Sequence, residues 1–260
     1  MTNYRFGDVN LNSFGTLTLL DDIADIPDRR GTNQVIPFRA GAVFTEKYYD
    51  ERSMQFGITI FQPSQPAVES LIDELRKLIS PRGEQTLAMY LEDGSIREVP
   101  ASVNKKLQVA RPYLTVAQIV LEFDLAQPFW RASEAIPDNT TTINANPTAM
   151  EVLNPGTVEE SSPTIILTGP LQNTVITNSI NGYVLTYTGT IASPRVVTIS
   201  VNETGEWIAI DDLSANKISN LTHSGGPELM RLDVGLNELS IADDTATTGT
   251  VEITFNAPYL

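Results

Sequence analysis

The chain has 260 residues, 41% of them hydrophobic and 19% charged, the make-up of an ordinary globular protein with length enough for two cores. It has no cysteine and a single histidine, which excludes disulfides, thiolate metal sites and a cysteine nucleophile. The net charge of −15 is uneven: residues 1–133 hold 14 Lys/Arg and 17 Asp/Glu, whereas residues 134–260 hold 3 and 15, a net of −12.

So acidic a second half opposes general binding to nucleic acid, which needs cations to displace counterions. No apolar run approaches the roughly 20 residues of a membrane-spanning helix, so no membrane insertion is expected. The first residues, Met1 to Phe6, lack the basic and apolar stretches of a secretory signal. The Asn-x-Thr triplets at Asn139, Asn202 and Asn220 are therefore read as chance matches.

Along the chain, Tyr4 to Gly7 and Thr16 to Leu20 read as strands, and Asp21 to Gly31 as a polar loop. Val35 to Phe44 and Ser53 to Phe61 are strand-like on either side of the charged stretch Thr45 to Arg52, which suggests a long hairpin or extended arm. One amphipathic helix follows. Ser64 is placed to cap it and Pro66 sits in the first turn. Val68, Leu71, Ile72, Leu75, Leu78 and Ile79 then trace one apolar face. Glu69, Asp73 and Glu74 precede Arg76 and Lys77 on the other side, as the helix dipole prefers, and Pro81-Arg82-Gly83 ends the element. Such a helix must cover a sheet or a neighbouring subunit.

Thr86 to Leu91 and Ser95 to Val99 flank the hairpin turn Glu92-Asp93-Gly94. Tyr113 to Leu125 alternates regularly and reads as one strand, running on to Gln127-Pro128-Phe129-Trp130-Arg131. Ser133 to Pro147 reads as a linker. Beyond it the expected strands are 151–154, 164–167, 174–178, 183–187, 196–201, 207–210, 238–241 and 251–256, separated by turns such as Asn154-Pro155-Gly156 and Gly169-Pro170. The predicted fold class is mainly β: an N-terminal β-rich domain with one α-helix (1–133), then a C-terminal β-sandwich (134–260) of jelly-roll, galectin-like or immunoglobulin-like form.

Catalytic constellations are hard to assemble from these residues. A serine triad would have to use His223, which falls in a turn-rich stretch with no Gly-x-Ser-x-Gly elbow. Asp211-Asp212 and Asp243-Asp244 lie in turns and would serve as a calcium site or glycosidase pair only if they met in space. Glycine-rich phosphate loops are absent. Trp207 with Tyr183 and Tyr187 offers either a sugar-stacking platform or, more simply, sandwich core. Arg29-Arg30 and Lys105-Lys106 are basic pairs suited to solvent or to an acidic neighbour. No catalytic, cofactor-binding or metal residue is assigned, and the chain is read as no enzyme.

The order of pieces over nearly the whole chain resembles the distal tail proteins, or minor tail proteins, of long-tailed, non-contractile bacteriophages. The resemblance rests on the helix Ser64 to Ile79 and on Gln127-Pro128-Phe129-Trp130-Arg131. Leu153-Asn154-Pro155-Gly156, Ser162 to Pro170, Asn181-Gly182-Tyr183, Gly205-Glu206-Trp207, Leu232 to Leu239 and Val251 to Phe255 complete it. The family pattern more often has Pro where this chain has Val234. The resemblance implies a structural virion protein without cofactors: a homo-hexameric ring at the tail tip, made in the host cytoplasm, that joins the tail tube protein to tail-tip or baseplate proteins. It implies that N-terminal domains ring a channel through which DNA passes without specific binding, that sandwiches project outward, and that the arm around Arg29 to Arg52 reaches a neighbour. The alternative is a carbohydrate-binding sandwich for host-surface glycans, with weak glycan binding by the C-terminal domain.

Overall fold

The structure, a computed structural model, describes residues 2–20, 26–35, 40, 42–43, 48–80, 83–103, 105, 107–136, 139–202, 204–224, 230–245 and 248–260. The chain divides into two compact units, Met1–Ser133 with Leu260, and Glu134–Tyr259. Both are built almost wholly from antiparallel strands.

In the first unit the strands are β1 (Asn3–Phe6), β2 (Val9–Asn10), β3 (Thr16–Leu19), the short pairs β4 (Arg29–Arg30), β5 (Gln34–Val35), β6 (Ala42–Val43) and β7 (Tyr48–Tyr49), and β8 (Arg52–Phe61). Helix α1 (Gln65–Ile79) follows, then β9 (Gln85–Tyr90), β10 (Ile96–Ala101), β11 (Gln108–Tyr113), β12 (Val116–Leu125) and β13 (Trp130–Ala132). One sheet runs β2-β1-β9-β10-β13 and a second β11-β12-β8-β3. The long pair β8–β12 is in register from Phe61↔Val116 to Arg52↔Leu125. Every second residue of each strand (Met54, Phe56, Ile58 and Ile60; Ile119, Leu121, Phe123 and Leu125) is buried, as a two-residue side-chain period requires of a one-sided strand. Aromatic edges knit the sheets together: Tyr4 meets Phe56 at 4.9 Å, and Phe123 meets Phe6 at 4.8 Å and Phe56 at 5.5 Å between ring centroids.

The helix has the expected bounds, and it packs against β12. Val68, Ile72 and Leu75 are buried, each contributing about 1.5–3 kcal/mol, while Leu71, Leu78 and Ile79 are half-buried. Its start differs from expectation. Ser64 holds the extended N-cap backbone but makes no side-chain capping bond, and the first turn has no acid, so Pro66 is the start signal that remains. Arg76 and Lys77 do occupy the last turn. The stop at Pro81-Arg82 lies outside the described residues.

Two further expectations are corrected in this unit. Tyr113 does not begin the long strand: it ends β11, which turns at Leu114-Thr115 and folds back on β12 as an edge strand. Arg111-Pro112 hid β11 in the sequence, because proline lacks a ladder donor and is confined to edges and bulges, and the register does shift between Ala110 and Tyr113. The long hairpin is one of paired short strands: Arg29↔Tyr49 and Arg30↔Tyr48, then Gln34↔Val43 and Val35↔Ala42, with Asp50 N–H donating to Asp28 O at 2.7 Å. Residues 36–39, 41 and 44–47 lie outside the described residues.

The second unit contains β14 (Thr140–Thr142), β15 (Thr148–Asn154), β16 (Thr164–Thr168), β17 (Leu171–Asn178), β18 (Val184–Ile191), β19 (Val196–Val201), β20 (Trp207–Asp211), β21 (Leu221–Ser224), β22 (Gly235–Ala242) and β23 (Thr250–Thr254). They form two five-stranded sheets, β14-β23-β16-β19-β20 and β15-β22-β17-β18-β21. The inward residues of both, among them Val152, Ile165, Leu167, Ile176, Leu185, Ile199, Leu239, Ile241, Val251 and Ile253, make one buried cluster. All eight expected strands are present within a few residues of their expected ends. Of those named above, two were not expected. β14 lies within the supposed linker, and β21 carries His223 in what read as a loop. Both are edge strands, Thr140–Thr142 and Leu221–Ser224, with little apolar alternation to show them.

Candidate functional site

The acidic doublets do structural work at separate turns. Asp243, 1% exposed, accepts hydrogen bonds from Gln172 N–H at 2.8 Å, Thr174 Oγ1 at 2.9 Å and Thr245 N–H at 2.9 Å. Burial pushes its carboxyl pKa up, but the Thr245, Gln172 and Thr174 donors outweigh this and hold it below the usual value. Asp244 accepts from Asn173 Nδ2 at 2.7 Å. Asp211 Oδ1 accepts from Ala215 N–H at 2.8 Å and Leu213 N–H at 3.0 Å, and those bonds, with Lys217 beside it, lower its pKa against the effect of desolvation. Asp212 pairs with Arg195 Nε at 2.6 Å. Among the described residues no three His, Cys, Asp or Glu side chains stand close enough to hold a metal ion. Nor is any described helix long and apolar enough to cross a membrane.

The aromatic residues do not assemble into a platform. Tyr187 is 3% exposed and belongs to the core. Tyr183 lies under the Arg231 guanidinium at 5.8 Å. Trp207 is half-buried against the core, its ring 3.9 Å from that of His223 in an edge contact. Since β20 and β21 are the edges of the two sheets, this contact spans one open side of the sandwich. Burial lowers the His223 pKa.

The stretch Leu232 to Leu239 is held by buried asparagines. Asn237 Oδ1 accepts from Asp233 N–H at 2.9 Å and Asn178 Nδ2 at 3.0 Å, while its Nδ2 donates to Asp233 O at 2.8 Å and Gly235 O at 3.2 Å. Asn178 Nδ2 and Asn181 Nδ2 both donate to Arg231 O, at 3.0 and 2.9 Å. Asn154 donates to Val158 O at 2.9 Å and accepts from Gly156 N–H at 2.9 Å. Gly156 admits no side chain, since a Cβ would stand 2.2 Å from Pro258 O. The turn motifs thus record internal bonding rather than a ligand site.

Three surface features suit assembly. Phe61, Val116 and Tyr113 are cross-strand neighbours on β8, β12 and β11, and with the Leu114 turn they form an apolar ledge in which Phe61, Tyr113 and Leu114 are each at least 65% exposed. At the base of the hairpin, Arg29 donates to Tyr49 Oη at 2.6 Å and stacks on its ring, and Tyr49 in turn meets Phe129 edge-on at 5.1 Å. In the second unit, exposed Leu153 and Leu236 are direct partners across β15 and β22. Of the remaining cations, Lys105 is ion-paired with Glu122, and Arg111 ties β11 to Glu69 of α1 at 2.8 Å; Lys106 lies outside the described residues.

A family model described as a phage tail protein RIFT-related domain matches residues 12–146. No curated protein matches the sequence. Among solved structures, SPP1 Dit, presented as a paradigm of hub adsorption apparatus in Gram-positive-infecting phages, superposes with a TM-score of 0.70 over 98% of this chain and 99% of that one, at 11% identity. A chain of the phage P2 baseplate in its activated conformation with Ca gives a TM-score of 0.45 at 10% identity, each chain covered in full. At these identities the likeness is one of fold.

Proposed function

The chain belongs to the phage tail proteins with a RIFT-related domain, and from that premise we propose that it is the distal tail subunit, six copies of which close into a ring between the tail tube and the tail-tip or baseplate proteins. The observation that carries this reading is the likeness to SPP1 Dit, a hub protein, along essentially the whole chain rather than in the matched domain alone. Residues 1–133 build the ring and residues 134–260 project from it to meet neighbouring baseplate parts. The hairpin with Arg29 and Tyr49 at its base supplies the contact to the next copy. The Phe61, Tyr113 and Leu114 ledge buries against a partner once the ring forms, removing about 25 cal/mol of cost per Å² covered. The ring acts by scaffold rather than by catalysis. DNA passes through the ring without specific binding, in keeping with a first unit that carries no cationic excess (14 Lys/Arg against 17 Asp/Glu).

Light scattering with negative-stain electron microscopy tests the ring directly. Six-fold particles with a central hole are expected from the purified chain, alone or with its tail tube protein. Replacing residues 31–47 by a short Gly-Ser turn should leave monomers whose far-ultraviolet circular dichroism is still that of a folded β protein. A chain that stays monomeric with the tube protein present, or rings that survive loss of the hairpin unchanged, would count against the reading.

A further inference from the structure

The second unit has only three cations, Arg195, Lys217 and Arg231, against 15 acids. Two of the three line one cleft of about 480 Å³, formed by the end of β18, the β18–β19 turn, the end of β20 and the 3-10 turn Ile218–Asn220. That volume suits a small ligand.

The polar groups of the cleft are fixed at one end and under-used at the other. Asp211 is anchored through Oδ1 by the two backbone N–H bonds already described, leaving Oδ2 to face Arg195 Nη2 and Lys217 Nζ, both at 3.4 Å. These are long for ion pairs, which close to about 2.7–2.9 Å when fully made. Asn220 Nδ2 stands 3.5 Å from the Tyr187 hydroxyl, again at the limit of a hydrogen bond. Donors and acceptors therefore share one space with bonding capacity left over. The apolar part of the lining includes buried Ile191 and Val197 and, at the rim, Leu213, 71% exposed.

Charge decides the ligand class. An anion is disfavoured, because both cations already face Asp211 or Asp212 and the unit as a whole stands at −12. A metal ion is disfavoured because each carboxylate is already faced by a cation. What remains is a neutral group that donates to Asp211 Oδ2 and accepts from Lys217 and Arg195 at once, which vicinal hydroxyls do, with a C–H face to lay on Leu213. We propose that this cleft binds a neutral saccharide. The proposal rests on the second unit alone and stands or falls separately from the ring.

The test uses the full-length chain and a panel of neutral saccharides (glucose, galactose, N-acetylglucosamine, lactose, maltose), with sialyllactose and glycerol phosphate as acidic probes, read by saturation-transfer NMR. At least one neutral sugar should receive saturation, undiminished by EDTA. Its affinity should fall about tenfold or more in Lys217→Met and in Leu213→Asp, the loss of one or two polar bonds or of the apolar face. Both positions are at the surface, and Trp207 fluorescence checks that each variant is folded. Trp207→Phe should bind as well as the parent. The proposal is overturned if no neutral sugar binds at millimolar concentration, if an acidic probe binds in preference, or if binding survives both variants.

Discussion

Replacing Asn237 by alanine should unfold the second unit's bonding at its centre. Asn237 is 0% exposed, so its amide makes these bonds shielded from water. The variant strips Asp233 N–H of its acceptor and Asp233 O and Gly235 O of this donor, while Asn178 Nδ2 keeps only Arg231 O. A buried polar group left unsatisfied costs about 1–3 kcal/mol. With three backbone groups losing this partner and the Asn178 amide half-served, the loss should total about 2–5 kcal/mol, a large share of a domain's usual margin. The chain has two tryptophans, Trp130 in the first unit and Trp207 in the second, so a Trp130→Phe background reports the second unit alone. Urea unfolding followed by Trp207 fluorescence then gives the midpoint and slope for parent and variant. A loss under about 1 kcal/mol would refute the bonding argument, because it would mean the strand start re-pairs its backbone without the side chain.

Asp243→Ala removes an acceptor shared by Gln172, Thr174 and Thr245 and should cost about 2–4 kcal/mol in the same assay. Because the folded-state pKa of Asp243 is depressed, its contribution is present above the ordinary carboxylate pKa and is lost as pH falls through the folded value. The gap between parent and Asp243→Asn should therefore narrow in acid; a gap that widens would be contrary. His223 also has a lowered folded pKa, so acidification below about 6.5 should destabilise the parent more than His223→Gln, and protonation read through Trp207 fluorescence should have its midpoint below about 6.5. A midpoint at or above that value contradicts the burial argument. Gly169→Ala would place a Cβ 2.3 Å from Ile191 O and 2.6 Å from Ala192 O, so backbone must move and the loss should exceed about 1 kcal/mol by urea unfolding; a neutral variant would show that the turn has slack.

Interior strands were legible because their side chains alternate between core and surface. β8 and β12 each show a buried residue at every second position, and that periodicity is written in the residues themselves. Among the strands that escaped notice, β11, β14 and β21 are at sheet edges. An edge strand completes a ladder through its backbone, which every residue type supplies, so Thr140–Thr142 and Leu221–Ser224 look like linker and loop. The helix was legible by the same token as the interior strands, whereas its cap was not. Ser64 has the right identity and backbone, but whether its hydroxyl reaches an N–H is settled by geometry that identity does not encode. The buried role of Asp243 was not legible for a further reason. Two of its partners, Thr174 and Gln172, lie 69 and 71 residues away, so nothing local shows that the doublet's first carboxylate is a buried acceptor.

The scarcity of cations in the second unit makes their placement informative in a way that the abundant acids are not. Arg231 stacks on Tyr183 and pairs with Asp233 at 3.0 Å, beside the loop that Asn178 and Asn181 hold through its own carbonyl. Its role closes on itself, since ring, carboxylate and carbonyl are all supplied from within the unit. Lys217 differs, because its bond to Asp211 is long and its cleft is open, while Arg195 beside it is held on one side by Asp212 at 2.6 Å and reaches Asp211 only at 3.4 Å. If all three cations served only to offset acid, removing any one should weaken the unit by a similar small amount, as exposed ion pairs contribute about 0–1 kcal/mol. Unequal effects are expected instead: Arg231→Ala should lower the urea midpoint, through lost packing as well as charge, while Lys217→Met should leave it nearly unchanged and alter only what the cleft binds.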